Sequence, residues 1–280
     1  MSALLYKAYS PSQWSPTKSA EQVIADFQAA VEKALEDAKK RVVSLQNVDY
    51  GGQKLDIWGA NLVDSASHMF VFFHGGYWQE GSKTDVAPII DLVVNGVGIP
   101  CISVGYDLGT VKPLAEIIEQ AKTAVEYLQN RYKNAQFTLS GHSAGAHLAA
   151  AVVTQLEDTK RIKQVILISG IYDLEEWAET EYGKNINLSV EDAKALSIDP
   201  AKLAAKLNRR RITLFVGEHD SPKFIDQTER FQAAVIEASS NAVECEKLYI
   251  RDDDHFSIIA NMVDRTCDPA RHLLRRLRFF

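Results

Sequence analysis

Short apolar runs recur along the chain, and each ends in glycine or a polar loop. They read MFVFFHGG from Met69, IPCISVGYD from Ile99, QFTLSGHS from Gln136, QVILISG from Gln164, ITLFVGEHD from Ile212 and CEKLYIRDDDH from Cys245. Between them lie amphipathic stretches at 113–130, 144–156, 222–239 and 256–264. Near-continuous apolar strands alternating with helices predict a mostly parallel sheet with helices on both faces. Two alternating runs flank Gly51-Gly52 in VVSLQNVDYGGQKLDIWG, the pattern of an antiparallel hairpin, which adds to one edge of that sheet. Ahead of it, Val23, Phe27, Ala30, Val31 and Leu35 recur at helical spacing, with Ser19 and Gln22 placed as a capping box. Residues 1–19 read as an irregular arm, so 1–41 forms an arm plus helix ahead of the sheet.

One segment, 172–208, breaks the alternation. It has no strand pattern and mixed charge, and it predicts several short helices. Such an insertion in an α/β protein serves as a lid or pocket wall, or as a solvated loop. The whole of 1–280 is otherwise consistent with one α/β domain.

Composition narrows the function. The net charge of −6 argues against binding to nucleic acid or to an anionic membrane, and no run approaches the length of a membrane span. The three cysteines, Cys101, Cys245 and Cys267, form no CxxC pair, so neither a zinc site nor a disulfide framework is expected. With no signal-peptide pattern at the N-terminus, these features predict a reducing, cytosolic setting.

The candidate chemistry centres on Gly141-His142-Ser143-Ala144-Gly145, between a strand and a helix. A serine on so sharp a turn is held in a strained backbone, clear of the sheet and at a helix N-terminus. Side chains at 141 and 145 would collide with neighbouring backbone, which accounts for both glycines. A serine hydroxyl needs a base, and the base needs an orienting carboxylate. Of the histidines beyond Ser143, His147 lies on the motif's own helix and His272 in a basic amphipathic run, both structural positions. His255 follows the last strand and is the candidate base. Asp220, after ITLFVG, is the candidate acid, with His219 a packed or solvated neighbour. The Asp252-Asp253-Asp254 run competes for that role but reads as a solvated strand-end loop.

Acyl transfer also needs N–H donors for an oxyanion. Ala144, after the serine, supplies one; Gly75 and Gly76, in HGGYW after an early strand, supply the others. His74 is read as fixing this loop by hydrogen bonds. Tyr77 and Trp78 are candidates to flank a substrate ring. Trp177, Tyr172 and Phe256 are further candidates, although aromatics in such places also build core.

HGGYW at 74–78, GYD at 105–107, GHSAGAHLAA at 141–150, LSVEDAKALSIDP at 188–200, GEHDSPKF at 217–224 and DHF at 254–256 together resemble the kynurenine formamidases (arylformamidases). That family belongs to the α/β-hydrolase fold, near the esterases of the hormone-sensitive-lipase type. The resemblance runs from about 48 to 264. It implies the same triad of Ser143, Asp220 and His255, no metal or organic cofactor, a homodimer, and hydrolysis of N-formyl-L-kynurenine to L-kynurenine and formate. A general carboxylesterase would use the same residues with a wider acyl pocket. A hydrolase-fold binding protein without catalysis would usually lack a triad member.

Overall fold

The computed structural model describes residues 3–240 and 242–278. Eight strands form one sheet: β1 (Ser44–Asp49), β2 (Lys54–Trp58), β3 (His68–Phe73), β4 (Cys101–Val104), β5 (Gln136–His142), β6 (Ile162–Ile168), β7 (Arg211–Gly217) and β8 (Glu244–Ile250). Their order is β1-β2-β4-β3-β5-β6-β7-β8. The hairpin pairs β1 with β2 around Tyr50–Gln53, and β2 runs antiparallel to β4; every later pairing is parallel. This is the mostly parallel sheet with an edge hairpin that the apolar runs imply, and the arrangement that the resemblance to the α/β hydrolases leads one to expect.

The period of two along β3 sets the two cores. Met69, Val71 and Phe73 enter one apolar cluster, and Phe70 and Phe72 enter the other. Twelve α-helices are found among the described residues. In chain order they begin with α1 (Ala3–Ala8), α2 (Ala20–Arg41), α3 (Ala87–Val97), α4 (Leu114–Arg131) and α5 (Ala144–Gln155). The insertion supplies α6 (Glu175–Ala178), α7 (Glu181–Asn185), α8 (Val190–Leu196) and α9 (Pro200–Lys206). The last three are α10 (Pro222–Ser239), α11 (Ser257–Ala260) and α12 (Asp268–Arg278). Residues of α4, α5, α10 and the insertion fill the first cluster, and those of α2, α3 and α12 the second.

The capping box at Ser19 and Gln22 forms as expected. Three features differ from the sequence expectation. The arm is not irregular: α1 and a 3-10 turn at Pro11–Trp14 precede α2. The helix α3, carrying APIIDLVVNGV, is not among the amphipathic stretches; nearly all its apolar residues are buried, and Asp91 and Asn95 give it only a narrow polar edge. The stretch 256–264 is not one helix but α11 followed by a 3-10 turn at Asn261–Val263. Of the two readings given for the insertion, a wall or a solvated loop, the packing favours the wall: Trp177, Ala193 and Leu203 lie in the first cluster. The basic run at the C-terminus lies against the domain: Leu273 and Leu277 are buried, and Arg276 pairs with Glu246 at 2.6 Å. No described helix is long and apolar enough to cross a membrane.

Candidate active site

The residues singled out by the sequence converge at the C-terminal ends of β3, β5, β7 and β8. Ser143 caps α5 with φ 55° and ψ −121°, a left-handed backbone that a non-glycine residue adopts only under constraint. The constraint is visible on both sides. A Cβ at Gly141 would lie 2.1 Å from Gly145 O, and one at Gly145 would lie 2.0 Å from Phe73 O. Both glycines are therefore demanded by close backbone approach. The Ser143 amide is tied to Ile168 O at 2.8 Å, which anchors the turn to β6.

Asp220 follows β7 and His255 follows β8. His255 Nδ1 lies 3.0 and 2.9 Å from the two Asp220 carboxylate oxygens, and both residues are buried. A carboxylate only accepts, so the proton sits on Nδ1 and Nε2 is left with a lone pair. His255 and Ser143 line the same cavity. No direct hydrogen bond joins them among the described residues, a contact that commonly tightens only with substrate in place.

Asp252 is exposed, in agreement with a solvated loop, but Asp253 and Asp254 are buried. Asp253 accepts from Ser257 Oγ and Asn261 Nδ2, both at 2.6 Å, and Asp254 accepts from the amides of Phe256 and Ser257. These carboxylates fold the loop that carries His255; they do not compete for its ring. His219 is half-buried, and its amide donates to Asp253 O.

The amides of Gly75, Gly76 and Ala144 donate to no other backbone carbonyl among the described residues. A Cβ at Gly75 would sit 3.2 Å from Ser143 Cβ, so this loop passes directly over the serine. Gly76 has φ 97°, and Tyr77 and Trp78 continue in the left-handed region at 50° and 58°. This tight turn sends the two aromatics apart. Tyr77 borders the cavity and stacks on Tyr182 with ring centroids 4.6 Å apart, while its hydroxyl donates to Tyr9 O at 2.6 Å.

The cavity holds about 430 Å³. Its floor is Gly75, Gly76, His142, Ser143 and His255. Phe27, Tyr77, Tyr182 and Phe256 give it aromatic walls, and Phe27 meets Phe256 edge-on at 5.5 Å. Sequence reasoning missed Phe27, Tyr182 and His142. Phe27 could have been found as one residue on the apolar face of α2, but its partner could not. His142 Nε2 donates to His255 O at 2.8 Å; burial and the nearby His255 ring push its pKa well below the usual histidine value.

A sequence profile described as the alpha/beta hydrolase fold matches residues 70–236. The kynurenine formamidase of Danio rerio is 33% identical over 96% of this chain and 94% of its own. That of Salmo salar is 33% identical over 98% of this chain and 95% of its own. The chain belongs to the kynurenine formamidase family of α/β hydrolases. It is an amide-hydrolysing enzyme. Among solved structures, a candidate thioesterase from Silicibacter superimposes with TM-score 0.75 at 24% identity, over 95% of this chain and 97% of that one. A hormone-sensitive lipase from a metagenome library gives 0.67 at 17%, over 91% and 97%. These two share the fold.

Three residues read as candidates to flank a substrate ring are core in the structure. Trp78 and Trp177 do not flank a substrate: both are fully buried, 5.3 Å apart edge-to-face, and neither lines the cavity. The left-handed turn at Tyr77 directs Trp78 into the core, where it meets the His147 ring. Tyr172 is likewise core, stacked on Phe231 at 4.0 Å. His147 is a packing residue as expected, bonded to Leu196 O at 2.8 Å.

Proposed function

We propose that the protein hydrolyses N-formyl-L-kynurenine to L-kynurenine and formate, with Ser143 as nucleophile, His255 as general base and acid, and Asp220 as the group that orients His255. The observation that carries this reading is His255, paired with the buried Asp220, lining one cavity with a serine on a strained elbow. The family supports the substrate class.

Ser143 Oγ attacks the formyl carbon while His255 Nε2 takes its proton. Asp220 holds Nδ1–H and stabilises the imidazolium. The carbonyl oxygen becomes an oxyanion met by the amides of Gly75, Gly76 and Ala144. Collapse breaks the C–N bond, His255 returns the proton to the aryl nitrogen, and L-kynurenine leaves. Water, deprotonated by His255, then attacks the formyl ester; formate departs and Ser143 regains its proton. The formyl group carries only hydrogen on its carbon and fits the confined space beneath Gly75. The aryl ring lies among Phe27, Tyr77, Tyr182 and Phe256.

The test is steady-state hydrolysis of N-formyl-L-kynurenine beside p-nitrophenyl acetate and longer acyl esters, with Ser143→Ala as control. A kcat/KM for formylkynurenine well above that for the esters, abolished in the variant, supports the reading. Preference for the esters would make the enzyme a carboxylesterase with the same residues. Near-normal turnover in Ser143→Ala would remove the mechanism.

A further inference from the structure

The two glycine amides of the HGG loop are useful only if they point at the oxyanion, and glycine is the residue least able to hold its own peptide planes. Something outside the glycines must set them. Tyr106, in the loop after β4, stacks flat on His74 with ring centroids 4.1 Å apart and 5° between planes. Its hydroxyl donates to His74 O at 2.7 Å. His74 Nδ1 lies 2.8 Å from Gly75 O. A carbonyl can only accept, so Nδ1 carries the proton and donates. Burial lowers the His74 pKa to about 4, so the ring is neutral near pH 7.

In a trans peptide the carbonyl of one residue and the amide of the next point in opposite directions. All peptide bonds among the described residues are trans. Fixing His74 O therefore fixes Gly75 N–H, and fixing Gly75 O fixes Gly76 N–H, each on the side away from its anchor. Both amides are unused by any backbone carbonyl, and Gly75 and Gly76 border the cavity beside Ser143. The anchored carbonyl also seats the loop on the elbow: a Cβ at Gly145 would lie 2.3 Å from His74 O.

We propose that Tyr106 and His74 are positioning residues that aim the two loop donors of the oxyanion hole, Tyr106 through His74 O and His74 through Gly75 O. Neither touches the substrate. The inference rests on the triad reading above, because it needs an oxyanion formed on Ser143. Aimed donors act on charge that develops in the transition state, so their loss falls on kcat and not on KM.

Tyr106→Phe keeps the stacked ring and removes only the hydroxyl. Two ligands separate aim from general damage. Phenylboronic acid adds to the serine oxygen and presents a tetrahedral anion to the hole, whereas L-kynurenine, the product, fills the cavity without charge there. The expected result is a fall in kcat of about 10-fold or more, a matching loss of boronate affinity, and KM and kynurenine inhibition within about two-fold of wild type. Boronate affinity is measured per active site, so a partly unfolded variant does not obscure it. Unchanged boronate affinity overturns the proposal, whatever kcat does. Turnover surviving in Ser143→Ala would overturn the triad reading and this inference together. With Ser143→Ala inert, an unaltered Tyr106→Phe overturns this inference alone.

Discussion

His142 donates its Nε2–H to the backbone carbonyl of His255 across 2.8 Å, so the residue before the proposed nucleophile holds the main chain of the proposed base. The bond joins the end of β5 to the loop after β8, 113 positions on. Removing it in His142→Ala leaves the His255 carbonyl unpaired and lets the base drift. A displacement of about 1 Å can cost about 100-fold in rate, and the expected loss in kcat for this variant lies between about 10- and 100-fold. His142→Gln, which can still donate, should recover part of it. Equal kcat in wild type and His142→Ala would show that the loop is held by Asp253 and Asp254 alone.

The acid and its sequence rival can be separated by two conservative changes. Asp220→Asn keeps the shape but stabilises the wrong tautomer of His255, and kcat should fall by about 10⁴. Asp252→Asn, at an exposed position, should leave turnover within two-fold by rough expectation for a surface change. The reverse ranking would transfer the orienting role to Asp252.

Gly145→Ala tests the elbow. The added methyl would sit 2.0 Å from Phe73 O and 2.3 Å from His74 O, and both neighbours are backbone. The variant should lose several kcal/mol of stability, about 3 or more, or fail to fold. A thermal melt like that of the wild type would mean that α5 can move away from β3.

The stability should decline as the pH is lowered from about 6.5 to 4. Burial lowers the pKa of His68, His74 and His147 from 6.5 to about 4, and that of His142 well below 6.5. In this window the unfolded chain takes up protons that the folded chain refuses, at up to about 1.4 kcal/mol per pH unit for each group. Asp85 opposes them, since burial raises its pKa to about 6 and the folded state binds its proton first. Burial also lowers the pKa of His272 and raises that of Asp253, and five lowered histidines against two raised carboxylates leave a net fall. Melting temperatures at pH 7, 6 and 5 should drop in step, and His147→Gln should flatten the slope by about one proton. A flat profile would contradict neutral buried histidines.

The aromatic walls make a contrast. Tyr182→Ala should raise KM for an aryl formamide by several-fold, with the fold intact. Trp78→Phe should lower the melting temperature and leave KM alone, because its ring is wholly buried. If Trp78→Phe alters KM first, the ring reaches the substrate after all.

The succession of strands along the chain and the loops that carry the triad candidates were readable because each depends on local chain. Ser143, Asp220 and His255 each follow an apolar run, and the glycines follow from the turn they occupy. What could not be read depends on distant partners or on side-chain direction. Three consecutive aspartates look solvated until Ser257 and Asn261 supply donors to Asp253. Tyr77 and Trp78 are neighbours with opposite fates because two left-handed residues in succession turn them apart. The helix α3 has a polar edge only at Asp91 and Asn95, one turn apart, and so narrow an edge in an apolar run is easily passed over.

The wall of the cavity opposite the sheet is drawn from the first part of the chain. Pro11, Ser12, Ile24, Phe27, Gln28, Val31, Glu32 and Leu35 all precede β1, whereas the proposed bond-breaking groups lie on loops beyond β3. Much of the wall is thus encoded apart from the groups proposed to react, although Tyr77, Tyr182 and Phe256 come from later in the chain. The leading stretch can vary under selection for new guests while the reacting groups stay as they are, so change of diet need not pass through loss of catalysis.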